Sequence, residues 1–110
     1  MSNIQEVELE LSVAKEMVAK AEAARRLHSN RDFKKLFLDG LFKDEASRLV
    51  GLMADPQAAA HRNEIMETMI GISVVQAFLR QTVQLGRMAA ENIEAMEDEA
   101  EVLRQDAMVE

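Results

Sequence analysis

The longest uninterrupted helical pattern lies in the C-terminal half of the chain and limits what it can fold into. From about residue 63 onward there is no proline, and glycine occurs only at Gly71 and Gly86. Apolar residues recur at helical spacing, at Ile65, Met69, Ile72, Leu79, Val83, Ala90, Ile93, Met96, Ala100 and Leu103. This pattern predicts one helix of roughly 40 residues, about 60 Å long. A chain of 110 residues has too little other structure to cover it.

A second apolar stripe runs beside the first, at Val75, Phe78, Leu85 and Ala89. The apolar face is therefore broader than one antiparallel helix needs, and we expect self-association into a dimer or a ring. The residues predicted for this oligomer interface are Ile72, Val75, Leu79, Val83 and Gly86. Gly86 permits either a close helix approach or a kink. A monomeric three- or four-helix bundle with a kink near Gly86 is the alternative.

The N-terminal residues 3–28 carry the seam of a helix that packs on another helix. Steps of three and four residues separate Ile4, Val7, Leu11, Ala14, Val18 and Ala21. Beyond Ala21 the apolar positions move to another face, so a regular coiled coil is not sustained.

Two short helices are expected between these long ones. Ser29 or Asn30 caps the first, which should end at Gly40 in a left-handed conformation. The second begins near Asp44 and breaks before Pro56, because proline disfavours helical geometry in the residue before it. The sequence thus predicts an all-α fold: an N-terminal helix, two short middle helices and one long C-terminal helix, forming a hairpin or bundle. One domain spans residues 1–110, and residues 97–110 form an acidic tail that like charges would fray.

The charge distribution limits the choice of partners. The net charge is -7, and residues 91–110 hold eight acids and one base. Nucleic-acid binding is disfavoured, because it draws most of its affinity from Lys and Arg. The longest apolar run, residues 69–79, is about half the length that spans a bilayer, so no membrane association is expected.

No motif of an enzyme or of a cofactor site is present. The chain has no phosphate-binding glycine loop, no nucleophile elbow and no cysteine. His61 and Glu64 are three residues apart, but a metal site normally needs further ligands. We expect no catalytic residue, no cofactor and no metal.

The segment from residue 30 to residue 52 has the most specific chemistry, since an aromatic residue followed by lysine occurs on either side of Gly40. The phenylalanines can anchor the helices while the lysine heads stay in water. The candidate docking face consists of Lys34, Lys35, Lys43 and Arg48, with a local ion pair predicted between Asp44 and Arg48. A merely solvated basic face is the alternative interpretation.

This segment also resembles a family of small, all-helical proteins of tailed bacteriophages, in which Asn-x-Asp-Phe-Lys is followed by Gly-x-Phe-Lys-Asp-Glu-Ala-x-Arg-Leu-Val. The matching positions are Asn30, Asp32, Phe33, Lys34, Gly40, Phe42, Lys43, Asp44, Glu45, Ala46, Arg48, Leu49 and Val50. Leu41 departs from the family pattern, in which an aromatic residue is usual. The resemblance implies a phage structural or head-assembly protein, located in the virion or in the host cytoplasm, with a second phage structural protein as partner. The alternatives are a small regulator that inhibits a host protein or sequesters an anionic ligand, and a DNA-packaging accessory ring.

Overall fold

The computed structural model describes residues 3–109, which are almost entirely helical. The elements in chain order are α1 (Ile4–Ser29), α2 (Arg31–Phe33), a π-helix (Lys34–Glu45), α3 (Ala46–Ala54), a 3₁₀-helix (Pro56–His61) and α4 (Arg62–Val109). Residues 3–109 contain no strand, so the predicted all-α class is confirmed. At 48 residues, α4 exceeds the predicted length. It continues through Gly86 without a break, and the acidic segment from residue 97 is helical up to Val109.

The junction between α1 and α2 is fixed by a side-chain cap. Asn30 has an extended backbone, with φ of -73° and ψ of 127°. Its side-chain oxygen accepts a hydrogen bond from the Phe33 amide at 2.9 Å, which satisfies one of the free donors at the helix start. Ser29, the other candidate cap, instead donates from its hydroxyl to the Arg25 carbonyl at 3.2 Å.

Of the two breaks predicted in the middle of the chain, one is confirmed and one is wrong. Asp55 is extended, with φ of -82° and ψ of 119°, and ends α3 just before Pro56. Gly40, in contrast, lies inside the π-helix and does not have a positive φ. A Cβ built on Gly40 would lie 3.0 Å from the Lys35 carbonyl oxygen. A side chain at position 40 would press on this carbonyl within the wide helical turn, which favours glycine. The chain does not end a helix at this point.

The described residues divide into two compact units. Residues 3–24 and 82–109 form the first, which we call the hairpin. Residues 25–81 form the second, which we call the middle unit. α1 and α4 each contribute to both units.

The hairpin pairs the N-terminal part of α1 with the C-terminal part of α4 in antiparallel fashion. Ion pairs join Lys15 Nζ to Glu97 at 3.4 Å and Arg104 to Glu8 at 3.2 Å. The predicted seam of α1 is confirmed: its residues in the hairpin are buried or half-buried. The buried residues of the hairpin are Val7, Leu11, Ala14, Ala21, Ala24, Gly86, Ala89 and Ala100. Most of them are small, so the two helices lie close together.

Gly86 allows the closest approach in the hairpin. A Cβ built on this glycine would lie 2.1 Å from the Cβ of Ala21 and 2.9 Å from the Met17 carbonyl oxygen. Of the two roles that the sequence leaves open for Gly86, the structure therefore supports close packing over a kink. Gly71, elsewhere on α4, has no atom within 4 Å of a built Cβ.

The middle unit has its own apolar core. Leu49 of α3 is buried against Ile65 and Ile72 of α4. Partly buried side chains surround this cluster, namely Leu41, Phe42, Leu52, Met53, Ala58 and Met69. The turn that leads into α4 is held by Arg62, whose Nε donates to the Met53 carbonyl at 3.2 Å.

The two glycines of α4 give a matched test of this packing. We expect Gly86→Ala to destabilise the protein by about 1–3 kcal/mol, since the added methyl group must push α1 and α4 apart. Gly71→Ala should stabilise it by up to about 1 kcal/mol, because alanine favours helix and meets open space. Denaturant unfolding of both variants measures the difference, and equal effects would contradict the close approach at Ala21.

Candidate protein-docking surfaces

The predicted docking lysines all lie on the π-helix. The side chains of Lys34, Lys35 and Lys43 are exposed. Within residues 3–109, none of the three forms an ion pair. Their charges are therefore available to an acidic partner.

Arg48, the fourth predicted residue, is already paired within the chain. Its Nε donates to a carboxylate oxygen of Glu45 at 2.9 Å, and a second guanidinium nitrogen contacts the other oxygen. The hydrogen bond from Arg48 lowers the pKa of Glu45, and the same bond raises the pKa of Arg48. The predicted pairing with Asp44 is thus replaced by Glu45. Asp44 and Glu45 both lie in the last turn of the π-helix, where the i,i+4 spacing of an α-helix does not hold, and the acid three residues before Arg48 makes the pair instead.

A row of rings accompanies the basic segment. His28 meets Phe33 edge-on at 5.7 Å between ring centroids, Phe33 stacks on Phe37 at 5.0 Å, and Phe37 meets Phe42 edge-on at 6.4 Å. These separations suit favourable aromatic pairs. Phe42 also packs on the core of the middle unit, as its predicted anchoring role requires. The row therefore ties the π-helix to that core.

The π-helix places apolar side chains beside the lysines. Leu36 is 65 % exposed and Phe37 is also exposed. With Lys34 and Lys35 they make four consecutive exposed residues, which we call the basic segment and which point in different directions around the helix axis. Sequence reasoning missed Leu36 and Phe37, because an α-helical projection gave no reason to expose them. π-helical turns occur frequently at functional sites, which makes this segment a candidate binding region.

The predicted oligomer interface mostly points into the chain itself. Ile72 belongs to the core of the middle unit, and Gly86 packs on Ala21. Leu79 and Val83 are half-buried, whereas Val75 is exposed. Ile72 and Gly86 are therefore corrected from contacts between copies to contacts within one copy.

Further exposed apolar side chains of α4 in the middle unit are Phe78, which is 65 % exposed, and a neighbouring row of three. Met66 is 49 % exposed, Ile70 is 56 % exposed and Val74 is 62 % exposed, and the three follow one another at intervals of four residues. Ser73 and Ala77 lie alongside and help to line a shallow apolar depression of about 420 Å³. We call Met66, Ile70 and Val74 the α4 row. A ridge of large side chains beside small ones suits packing against another helix.

The hairpin has an apolar groove of its own, with a volume of about 480 Å³. Its apolar lining residues are Leu9, Val13, Ala14, Met17, Leu85, Met88, Ala89 and Met96, with Glu10 and Asn92 at its edges. Several of these large apolar side chains are well exposed. We call this surface the hairpin groove. It is a second exposed apolar surface, after the α4 row of the middle unit.

Residues 3–109 contain no group of three or more His, Asp or Glu side chains placed to hold a metal ion. The nitrogen Nδ1 of His61 lies 3.7 Å from a Glu64 carboxylate oxygen, and both side chains are exposed. In the same part of the chain, no helix combines the length and hydropathy of a membrane-spanning segment.

Comparisons with protein-family models, with curated proteins and with solved structures find no match to this chain. The features that bear on function are therefore the exposed surfaces of the described residues and the sequence resemblance of residues 30–50.

The anchoring of the basic segment can be tested by truncating one half-buried and one exposed side chain. Phe42→Ala should destabilise the protein by about 1–3 kcal/mol, since it removes a half-buried ring from the core of the middle unit. Leu36→Ala should change the free energy of unfolding by less than about 0.5 kcal/mol, because Leu36 is mostly exposed. A large loss of stability in the Leu36 variant would show that this residue packs inside the protein.

Proposed function

We propose that the protein is a non-enzymatic structural or head-assembly protein of a tailed bacteriophage, which acts by helix-mediated self-association and by docking on other proteins. The observation that carries this proposal is the α4 row, in which three large apolar side chains lie exposed on one helix face. Apolar surface in such a continuous patch favours burial against a partner. The hairpin groove adds a second surface of the same kind.

The phage assignment draws its support from the sequence resemblance of residues 30–50. The structure adds a physical context, because the residues of that pattern form α2, the π-helix and the start of α3. Within it, Phe42 and Leu49 pack inside the middle unit while the lysines stay exposed. Because one side of the segment packs in the core, its charged side is held in place and can contact a partner protein.

The charge distribution favours protein partners over nucleic acid. Residues 1–24 and 82–110 together hold thirteen acids and four bases, whereas residues 25–81 hold seven acids and nine bases. The small basic excess of the middle unit offers few contacts to phosphate groups, and the strongly acidic hairpin opposes them.

Self-association through the α4 row predicts a specific effect of one buried charge. Val74→Glu should lower the molar mass of the assembly, since a carboxylate in an apolar contact loses its hydration. Val102→Glu is the matched control: it lies on the same helix, is 55 % exposed and lies outside the α4 row. Light scattering after size exclusion measures both. A Val74→Glu protein with the native mass would place the contact elsewhere.

The phage role predicts where the protein is found. Mass spectrometry of purified proheads and virions should detect it in a constant ratio to the major capsid protein. Absence from both particles in infected cells that contain the free protein would contradict a structural or head-assembly role.

A further inference from the structure

The hairpin groove suits packing against another pair of helices. Large side chains form its two edges, with Leu9 on α1 at 67 % exposure and Met88 on α4 at 50 %. Ala14 and Ala89 also line the groove and are buried, so they form its floor. Ridges of large side chains on either side of small ones let a second helical layer interlock with the first.

The opposite face of the hairpin is polar. Lys15 pairs with Glu97, and Glu8 pairs with Arg104, across the two helices. At about 3.6 residues per turn, Lys15 and Glu8 lie about 140–160° around α1 from Val13, which lines the groove. The hairpin is thus a layer with one apolar and one charged face, and such a layer is stabilised when a second layer covers the apolar face.

The two ends of the groove differ in charge. Glu10 lines one end, and Glu6 and Glu99 lie beside it on the groove sides of α1 and α4. None of these three carboxylates forms an ion pair within residues 3–109. Lys20 follows Glu10 by ten residues and lies about 20° around α1 from Val13, so it is beside the other end. The groove therefore runs from an acidic end to an end that carries a base.

Lys20 is the base of the described hairpin that is placed to meet an acid at the groove. Its pair with Glu16 spans 3.7 Å, and the two side chains are 68 % and 70 % exposed, so little is lost when the pair is exchanged. Arg87 forms no ion pair within residues 3–109, but it lies about 160° around α4 from Leu85 and so faces away from the groove. The two remaining hairpin bases are held in the cross-helix ion pairs.

Charge selects one of the two ways in which identical grooves can meet around a twofold axis. An axis along the helices would lay α1 on α4 of the second copy and bring Glu10 close to Glu99 of that copy. Like charges at a contact disfavour this arrangement. An axis across the helices lays α1 on α1 and exchanges the ends, so that Glu10 of each copy meets Lys20 of the other.

We propose that two copies pair groove to groove in this second arrangement, as an antiparallel four-helix layer in which ion pairs between Glu10 and Lys20 close both ends. This inference rests on the proposed self-association and identifies one of its contacts, separate from the α4 row. The large apolar side chains of both grooves are buried together, as in the core of a four-helix bundle. The axis crosses α1 midway between Glu10 and Lys20, so Val13 of one copy lies opposite Met17 of the other.

Charge reversal at the two ends tests the pairing. The full chain with Val74→Glu is the parent, because that change removes association through the α4 row and should leave a dimer held by the groove. In this parent, Glu10→Lys sets lysine against lysine at both ends, and Lys20→Glu sets acid against acid. Each should raise the dimer dissociation constant by about tenfold at low salt, since two ion pairs per dimer become repulsive. An equimolar mixture of the two variants should recover the affinity of the parent, because every end then joins a lysine to a glutamate.

The matched controls are Glu94→Lys and Arg87→Glu, which make the same charge changes on the far side of α4. Both residues are exposed and lie about 160–180° around the helix from Leu85. These variants should keep the dissociation constant of the parent within about twofold, as surface changes outside a contact do. Circular dichroism checks that every variant retains native helicity, which the exposure of Glu10 and Lys20 leads us to expect.

The outcomes separate this inference from the proposed function. If the native protein assembles but the Val74→Glu protein is monomeric at every concentration tested, the groove pairing is overturned while self-association stands. A dimer whose affinity is unchanged in either charge variant, or is not recovered in the mixture, likewise contradicts the pairing of Glu10 with Lys20. A native protein that is monomeric throughout would overturn both.

Discussion

The structure depends on one constraint: a single helix of 48 residues has to be covered by a chain of 110. Helix stability in water comes mainly from packing an apolar face, so α4 needs partners along its whole length. α1 covers part of it in the hairpin, and Leu49 with its neighbours covers another part in the middle unit. Among the described residues, the α4 row and the hairpin groove are two of the apolar surfaces left exposed. We propose that self-association buries this remaining surface, since apolar side chains gain free energy when they leave water.

Close packing limits how much surface the hairpin buries. The contact between Gly86 and Ala21 brings the α1 and α4 backbones near each other, and alanine supplies much of the remaining seam. Small residues let the two helix backbones approach closely, but their side chains remove little apolar area from water. The larger side chains, such as Leu9 and Met88, are consequently left at the edges, where they form the groove. The same residue choice that shapes the hairpin thus creates its candidate binding surface.

The sequence predicted those features that are decided locally. The cap at Asn30 and the break before Pro56 follow from side-chain and backbone chemistry within a few residues. The π-helix was not predictable in this way, because Gly40 after an aspartate is typical of a helix end. The inward face of α4 was also misassigned in part. The helix is apolar over a wide arc, so periodicity alone does not show which of Ile72 and Ile70 is buried. The position of Leu49 decides it, since Leu49 packs on Ile72 and leaves Ile70 exposed.

Sedimentation of the native protein across micromolar concentrations tests the central claim most directly. The monomer mass is 12.3 kDa. If the exposed apolar surfaces bind further copies, the mass is a multiple of this value and falls on dilution. It also falls at high salt to the extent that charged contacts contribute. A mass of one chain throughout the range would contradict the account, because the α4 row and the hairpin groove would then remain exposed in solution.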